Sequence, residues 1–298
     1  MRYATPDEAP VNAWWLPTPD GGMLVFDALR TVSDARAAVD SLRRTHRPVR
    51  GILITHPHPD HVTGLTTFKE AFPSALIYST PEAVAYLAGK GKELLEMNVQ
   101  SFGRTEATDH IPTPDVLLRD GQSLTIGGLE IRVRSLGSGE SPAATVYFIP
   151  SMDILVSGDI LTPRRVPLLA AGRTAAWLEQ VDALRQAYDP DTRVLPGHGP
   201  ATDLGSAADW QESYIEAFRA EVTRATGATS DAGACVSAEE GERVLVTMRR
   251  EHPTDAPVAR LPEGVLDALN LEGVNWELTG KTCPGTANPV RERRAGSW

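Results

Sequence analysis

Eight residues, Ile54-Thr55-His56-Pro57-His58-Pro59-Asp60-His61, constrain this chain more than any other stretch. They follow Gly51-Ile52-Leu53-Ile54-Thr55, a short apolar run whose β-branched content suits a buried strand. Of seven histidines in 298 residues, three fall within these last six positions. Imidazole and carboxylate are common zinc ligands. In an extended loop alternate residues share a side, so His56 and His58 can grip one ion. Asp60 and His61 follow at a turn and can face a second ion. A polar loop that collects histidines by chance is the plain alternative, and the clustering argues against it.

Two further ligands are expected at later strand ends. Asp159 closes the run Ile154-Leu155-Val156-Ser157-Gly158, beside a glycine that allows close approach. His198 stands in Leu195-Pro196-Gly197-His198-Gly199. Either motif alone is weak; downstream of the first, in this order, both gain weight.

The rest of the chain alternates strand-like and helical patterns. Met23-Leu24-Val25-Phe26 follows a turn-forming Pro19-Asp20-Gly21-Gly22. Leu124-Thr125-Ile126, Gly127-Gly128 and Leu129 to Val133 read as a hairpin, as do Thr145 to Ile149 and Ile154 to Val156. Thr80-Pro81-Glu82 has the form of a helix start. Trp177, Val181, Leu184 and Tyr188 recur at helical spacing, the mark of a core stripe. After Asp203 the character turns helical: 206–225, a helix opened by a capping box at Ser237, and a third over 262–271. Residues 281–298 mix Pro, Gly and Arg without periodicity and read as a flexible tail.

The net charge of −10 argues against a general nucleic-acid partner. No apolar run reaches the roughly 18 residues of a spanning helix, so no membrane role is expected. The N-terminus lacks a basic stretch followed by an apolar one, which argues against a signal peptide. Cys235 and Cys283 lack metal or redox spacing and read as free thiols in a reducing cytoplasm. A homodimer is compatible with the sequence and not required by it.

Taken together, His-x-His-x-Asp-His, a Gly-Asp and a late Gly-His resemble the metallo-β-lactamase superfamily over residues 11–203. The resemblance implies an α/β fold: a four-layer αββα sandwich with the metals along one edge. Residues 1–204 would form the catalytic domain and 205–280 a helical extension capping the cleft. It also implies that His56 and His58 bind one metal, that Asp60, His61 and His198 bind the second, and that Asp159 bridges. Relatives usually supply a third histidine to the first metal from the loop before the second hairpin. Here that loop is Leu136-Gly137-Ser138-Gly139-Glu140-Ser141-Pro142, and no histidine lies between His110 and His198. Glu140 is the expected substitute, similar to the alkylsulfatase branch. His110 precedes the hairpin and is misplaced for that role, though a substrate-side role is open to it. His46 and His252 read as surface residues. Trp14 and Trp15 read either as cleft-mouth residues or as an N-terminal strand anchor.

The expected chemistry is hydrolysis of a small ester, lactone or thioester by a hydroxide shared between two Zn2+ ions, with Asp60 orienting it. Iron or manganese would also suit the ligands. A sulfate ester comes next because of Glu140, then a β-lactam. A non-hydrolytic metal-binding, redox or regulatory member of the fold is the reading from another class. Such a di-iron redox relative would show an acid where His58 stands and an attached flavin domain.

Overall fold

A computed structural model of the chain describes residues 1–226, 235–262 and 264–280. In the first half, β1 (Arg2–Ala4), β2 (Asn12–Pro17), β3 (Met23–Phe26), β4 (Val49–Leu53), β5 (Leu76–Ser79) and β6 (Val116–Leu117) form one sheet in chain order. The β1-β2-β3 pairs are antiparallel and β3 to β6 run parallel. Parallel neighbours need crossovers, supplied by α1 (Val32–Arg43), α2 (Pro59–Val62), α3 (Leu65–Ala71) and α4 (Pro81–Phe102). Thr80 caps α4 from its side chain with Pro81 in the first turn, as the sequence pattern predicts.

A second sheet takes β7 (Ser123–Ile126), β8 (Leu129–Gly137), β9 (Ala144–Ile149) and β10 (Ile154–Gly158). After β11 (Arg165–Val166) and α5 (Thr174–Ala187), it is completed by β12 (Arg193–Pro196) and β13 (Thr202–Asp203), in the order β13-β12-β10-β9-β8-β7. Both predicted hairpins form: Ile126 pairs with Leu129 across Gly127-Gly128, and Ile149 pairs with Ile154.

Alternation of side chains along the strands sets the layers. Trp14, Leu16, Leu24, Phe26 and Leu53 face inward against Ile131, Val133, Tyr147 and Val156 of the second sheet. Their neighbours Ala13, Trp15, Met23, Val25 and Ile52 point the other way, onto Ala35, Val39 and Leu42 of α1 and Phe68 of α3. The outer face of the second sheet, with Val146, Leu155 and Val194, packs on Trp177, Val181 and Leu184 of α5. Helix, sheet, sheet, helix is the four-layer sandwich expected from the motifs.

The C-terminal part adds α6 (Leu204–Ala225), α7 (Ala238–Glu251), β14 (Ala256–Pro257) and α8 (Val265–Thr279). The Ser237–Glu240 capping box opens α7 as predicted, whereas the last helix starts and ends later than the expected 262–271. Tyr214, Ile215 and Phe218 of α6, Met248 of α7 and Val274 of α8 join the same apolar cluster as α5. β14 pairs in parallel with β11, Arg165 opposite Ala256. Among the described residues no helix is long and apolar enough to cross a membrane.

Cys235 is disulfide-bonded, which corrects the free-thiol expectation. Cysteines far apart in a chain carry no spacing signal of the segments that tertiary packing brings together, and the cysteine-based argument for a reducing compartment falls with it. Cys283 and the expected tail at 281–298 lie outside the described residues.

Candidate metal centre

Strand ends deliver the site. His56 lies three residues past β4, and Asp159 and His198 lie immediately past β10 and two residues past β12. The two sheets are tied near this edge by Thr145 N donating to Thr55 O at 2.8 Å and Tyr147 OH donating to Ile54 O at 2.6 Å. Two adjoining groups of ligand atoms result, His56, His58, Glu140 and Asp159 in one and Asp60, His61 and His198 in the other.

Within the first group, His56 Nε2 and His58 Nδ1 are 3.0 Å apart, and Glu140 Oε1 lies 3.3 Å from His58 Nδ1. Within the second, His198 Nε2 is 3.3 Å from Asp60 Oδ2. Asp159 stands between them, its Oδ2 3.8 Å from His56 Nε2 and 3.3 Å from His198 Nε2. A tetrahedral ion with bonds of about 2.0–2.2 Å spaces its ligand atoms about 3.4 Å apart. The observed spacings bracket that value.

Hydrogen bonding fixes which nitrogen of each ring faces inward. Asp27 Oδ2 is 2.8 Å from His61 Nδ1, and a carboxylate can only accept, so Nδ1 carries a proton and, in the neutral ring, Nε2 is the nitrogen that offers a lone pair. Pro10 O does the same to His198 Nδ1 at 2.8 Å. Thr55 Oγ1 donates to Asp27 Oδ2 at 2.8 Å, so it accepts from His56 Nδ1 at 2.9 Å. One buried carboxylate thus orients two histidines, His61 directly and His56 through Thr55.

Asp27 was missed by pattern reading. Its signal is a lone acid directly after β3, in the left-handed backbone region at φ +61°. Gln180 of α5 was missed as well. Its Oε1 accepts from Glu140 N at 3.2 Å and its Nε2 donates to Leu136 O at 3.0 Å, which pins the Glu140 loop. A polar residue inside the apolar stripe of Trp177, Val181 and Leu184 was the available clue.

Glycines permit the close approach. At Gly158, φ +54°, a Cβ would lie 2.7 Å from Thr55 Oγ1. At Gly197 it would lie 2.0 Å from Asp159 Oδ1 and 2.8 Å from His61 Cε1, so no larger residue fits.

The groups are buried, with Asp60 and His58 alone opening toward solvent at 17% and 20% side-chain exposure. Burial holds His56 well below its ordinary pKa, helped by His61 and His58. At His61 burial is outweighed by Asp159, Asp27 and Asp60, which raise it well above. Burial is outweighed likewise at His198, pushed up to about 9 by Asp159 and Asp60. Asp60 and Asp159 are held far below the carboxylate range by the neighbouring histidines despite burial.

The other aromatic and histidine expectations resolve structurally. Trp14 Nε1 donates to Pro196 O at 2.7 Å and Trp15 lies in the core, so both anchor the N-terminal strand rather than the cleft mouth. His110 is exposed and bonds Asp109 at 2.8 Å, outside both ligand groups. His46 is exposed, whereas His252 is half-buried against Trp210 and Tyr214, because the end of α7 folds onto α6.

The chain is similar to known proteins in sequence and in fold. The chain is 24% identical over 195 residues to the metallo-beta-lactamase IND-1 of Chryseobacterium indologenes, covering 64% of this chain and 72% of the other. It is 25% identical over 211 residues to a linear primary-alkylsulfatase of Pseudomonas sp., covering 60% of this chain but 39% of that enzyme's length. The crystal structure of a beta-lactamase domain protein from Burkholderia ambifaria superposes with a TM-score of 0.67 at 21% identity, over 93% of this chain and 85% of that one, which shows the shared fold. With residues 6–198 matching the family model described as the metallo-beta-lactamase superfamily, the chain belongs to that superfamily.

Proposed function

We propose that this protein is a dinuclear metal-dependent hydrolase acting on a small carboxylic ester, lactone or thioester. The observation that carries the reading is a set of buried ligand atoms aimed at one another without hydrogen-bond partners. His61 Nε2, His198 Nε2, Asp159 Oδ1 and Glu140 Oε2 are all in this state. Leaving a buried polar atom unpaired costs about 1–3 kcal/mol each, so four converging atoms call for an occupant that accepts lone pairs. Three carboxylates and four imidazoles match two divalent cations in charge and in ligand type, zinc first, with iron or manganese also suited.

His56, His58 and Glu140 would hold one ion, Asp60, His61 and His198 the other, with Asp159 shared. When bound, such a pair supplies Lewis acidity, which lowers the pKa of water toward neutrality and offsets charge developing on a substrate oxygen. Asp60, open to solvent at the rim, would orient the attacking water. Asp27, through His61 and through Thr55 to His56, keeps two lone pairs aimed inward. Glu140 in place of an imidazole adds a negative charge to the first group and tempers the acidity there.

A sulfate ester is the second reading, supported by Glu140 and by the similarity to the alkylsulfatase. The test is turnover of lactones, carboxylic esters, thioesters, alkyl sulfates, phosphodiesters and β-lactams by zinc-loaded and chelator-stripped protein. Metal-dependent hydrolysis of an ester-type substrate, lost in Asp60→Ala, is expected. Zinc binding with no turnover of any class would instead favour a non-hydrolytic member of the fold.

A further inference from the structure

Between Asp159 and the start of α5 the chain runs through residues 160–173 with little regular structure beyond β11. The buried backbone of such a stretch needs hydrogen-bond partners from elsewhere. The C-terminal part supplies them in succession. Gln211 of α6 comes first: its Oε1 accepts from Thr162 N at 3.0 Å and from Thr162 Oγ1 at 2.8 Å, and both residues are buried. Asp255 N donates to Arg164 O at 2.8 Å, and the Asp255 carboxylate pairs with the Arg164 guanidinium at 3.0 Å. β14 then lies alongside β11. Asn270 of α8 accepts from Leu169 N at 2.6 Å and donates to Pro167 O at 2.8 Å.

The start of this segment is part of the metal centre. Asp159 is held from before by Gly197 N, which donates to Gly158 O at 2.9 Å, and from behind by Trp177 Nε1, which donates to Ile160 O at 2.9 Å. Gln211 takes the next hold, on Thr162. Farther along, Pro163 O and Arg165 Nε would each lie 3.3 Å from a Cβ at Gly199, so the same stretch backs the residue after His198. Asp159 reaches both ligand groups, with Oδ1 3.5 Å from His61 Nε2 and Oδ2 3.8 Å from His56 Nε2. A small shift of its backbone is therefore felt in both. Packing alone does not call for an amide at position 211: its neighbours on the buried face of α6 include Ala207, Ala208, Tyr214 and Ile215. The one oxygen serving two donors of Thr162 is what distinguishes glutamine there.

We propose that Gln211 is a positioning residue of the metal centre: by fixing Thr162 it holds the backbone that carries Asp159, and so makes the C-terminal helices part of the metal site. The proposal rests on the dinuclear metal reading and is independent of the substrate. Gln211 does from α6 for the Asp159 segment what Gln180 does from α5 for the Glu140 loop.

Zinc affinity of the full-length protein, measured by competition against a chromophoric chelator, tests this on wild type, Gln211→Met, Thr162→Val and Phe218→Leu. Methionine matches glutamine in length but lacks the acceptor, so two buried donors lose their partner while the space stays filled. Groups that hydrogen-bond a metal ligand are typically worth about 10–100-fold in metal affinity. Gln211 acts one step farther out, so a loss of about tenfold is expected, on both zinc equivalents because Asp159 belongs with both groups. Thr162→Val removes one of the two bonds and should cost about threefold. Phe218→Leu loosens the same helix without touching the segment. It should lower the melting temperature of chelator-stripped protein and leave zinc affinity at the wild-type value. The visible spectrum of cobalt-loaded protein, which reports ligand geometry, should change in Gln211→Met and not in Phe218→Leu. Wild-type zinc affinity in Gln211→Met, or in Thr162→Val where Gln211→Met does not fold, overturns the proposal. So does an equal loss in Phe218→Leu, or a wild type that binds no zinc. Weakened zinc binding in Gln211→Met, with no turnover of any substrate class by wild type, leaves the positioning role standing and sinks the hydrolase reading alone.

Discussion

Asp27 accepts three hydrogen bonds of 2.8 Å, from Thr55 N, Thr55 Oγ1 and His61 Nδ1. None of the three can be reproduced by an amide at that position without turning an NH2 group toward a donor. Asp27→Asn is therefore expected to misorient His61 and weaken metal binding about 10–100-fold while leaving the fold intact. Competition against a chromophoric chelator measures this directly. Wild-type affinity in the variant would mean that packing alone positions the ring. The same residue shows where residue-scale reading stops. His56, His58, Asp60 and His61 announce themselves because one loop carries them all. Asp27 is a single acid whose partner lies 34 residues away, and only the strand pairing of Phe26 with Leu53 brings the two loops together.

At the level of elements, α5 begins without a cap of its own: Arg173 makes no side-chain hydrogen bond to the first turn. Glu277 of α8 fills the gap. Its carboxylate accepts from Thr174 N at 2.9 Å and Ala175 N at 2.9 Å, and pairs with Arg219 of α6 at 3.0 Å. Burial works against this charge, but the bonds from Thr174 and Ala175 and the nearby Arg219 outweigh it and lower the Glu277 pKa. A depressed carboxylate pKa stabilises the fold above the unfolded-state value, about 4.3, and the benefit is lost as pH falls through the folded value. Glu277→Gln should cost about 1 kcal/mol near neutral pH, the usual worth of a helix cap. Its deficit against wild type should shrink as pH falls below about 4. Denaturant unfolding at several pH values checks both; a deficit constant with pH would show that shape, not charge, matters at this junction.

Across the whole molecule, one apolar cluster runs from the second sheet through α5 to α6, α7 and α8. A chain cut after Asp203 would lose Tyr214, Ile215, Phe218, Met248 and Val274 and uncover the side of that cluster that α6, α7 and α8 cover, an apolar patch too large to remain in water. It is expected to be insoluble or to lose cooperative unfolding, as read from soluble yield and thermal melts. A soluble, cooperatively folded fragment would instead make 205–280 a separable extension. The layer order came from the family resemblance that the motifs carry; the sequence by itself determined the repeat of strand and helix and the candidate ligand residues placed just after strand ends. Those features are local: side-chain alternation has a period of two residues, helical stripes recur within a few, and ligand types sit at fixed short offsets. Tertiary structure decided the rest, namely the orientation of His61 and His56 by Asp27, the pinning of the Glu140 loop by Gln180, the bonding of Cys235 and the hold of Gln211 on Thr162. Each of these joins segments whose approach is set by packing of whole layers, and no pattern within either segment encodes the distance to the other.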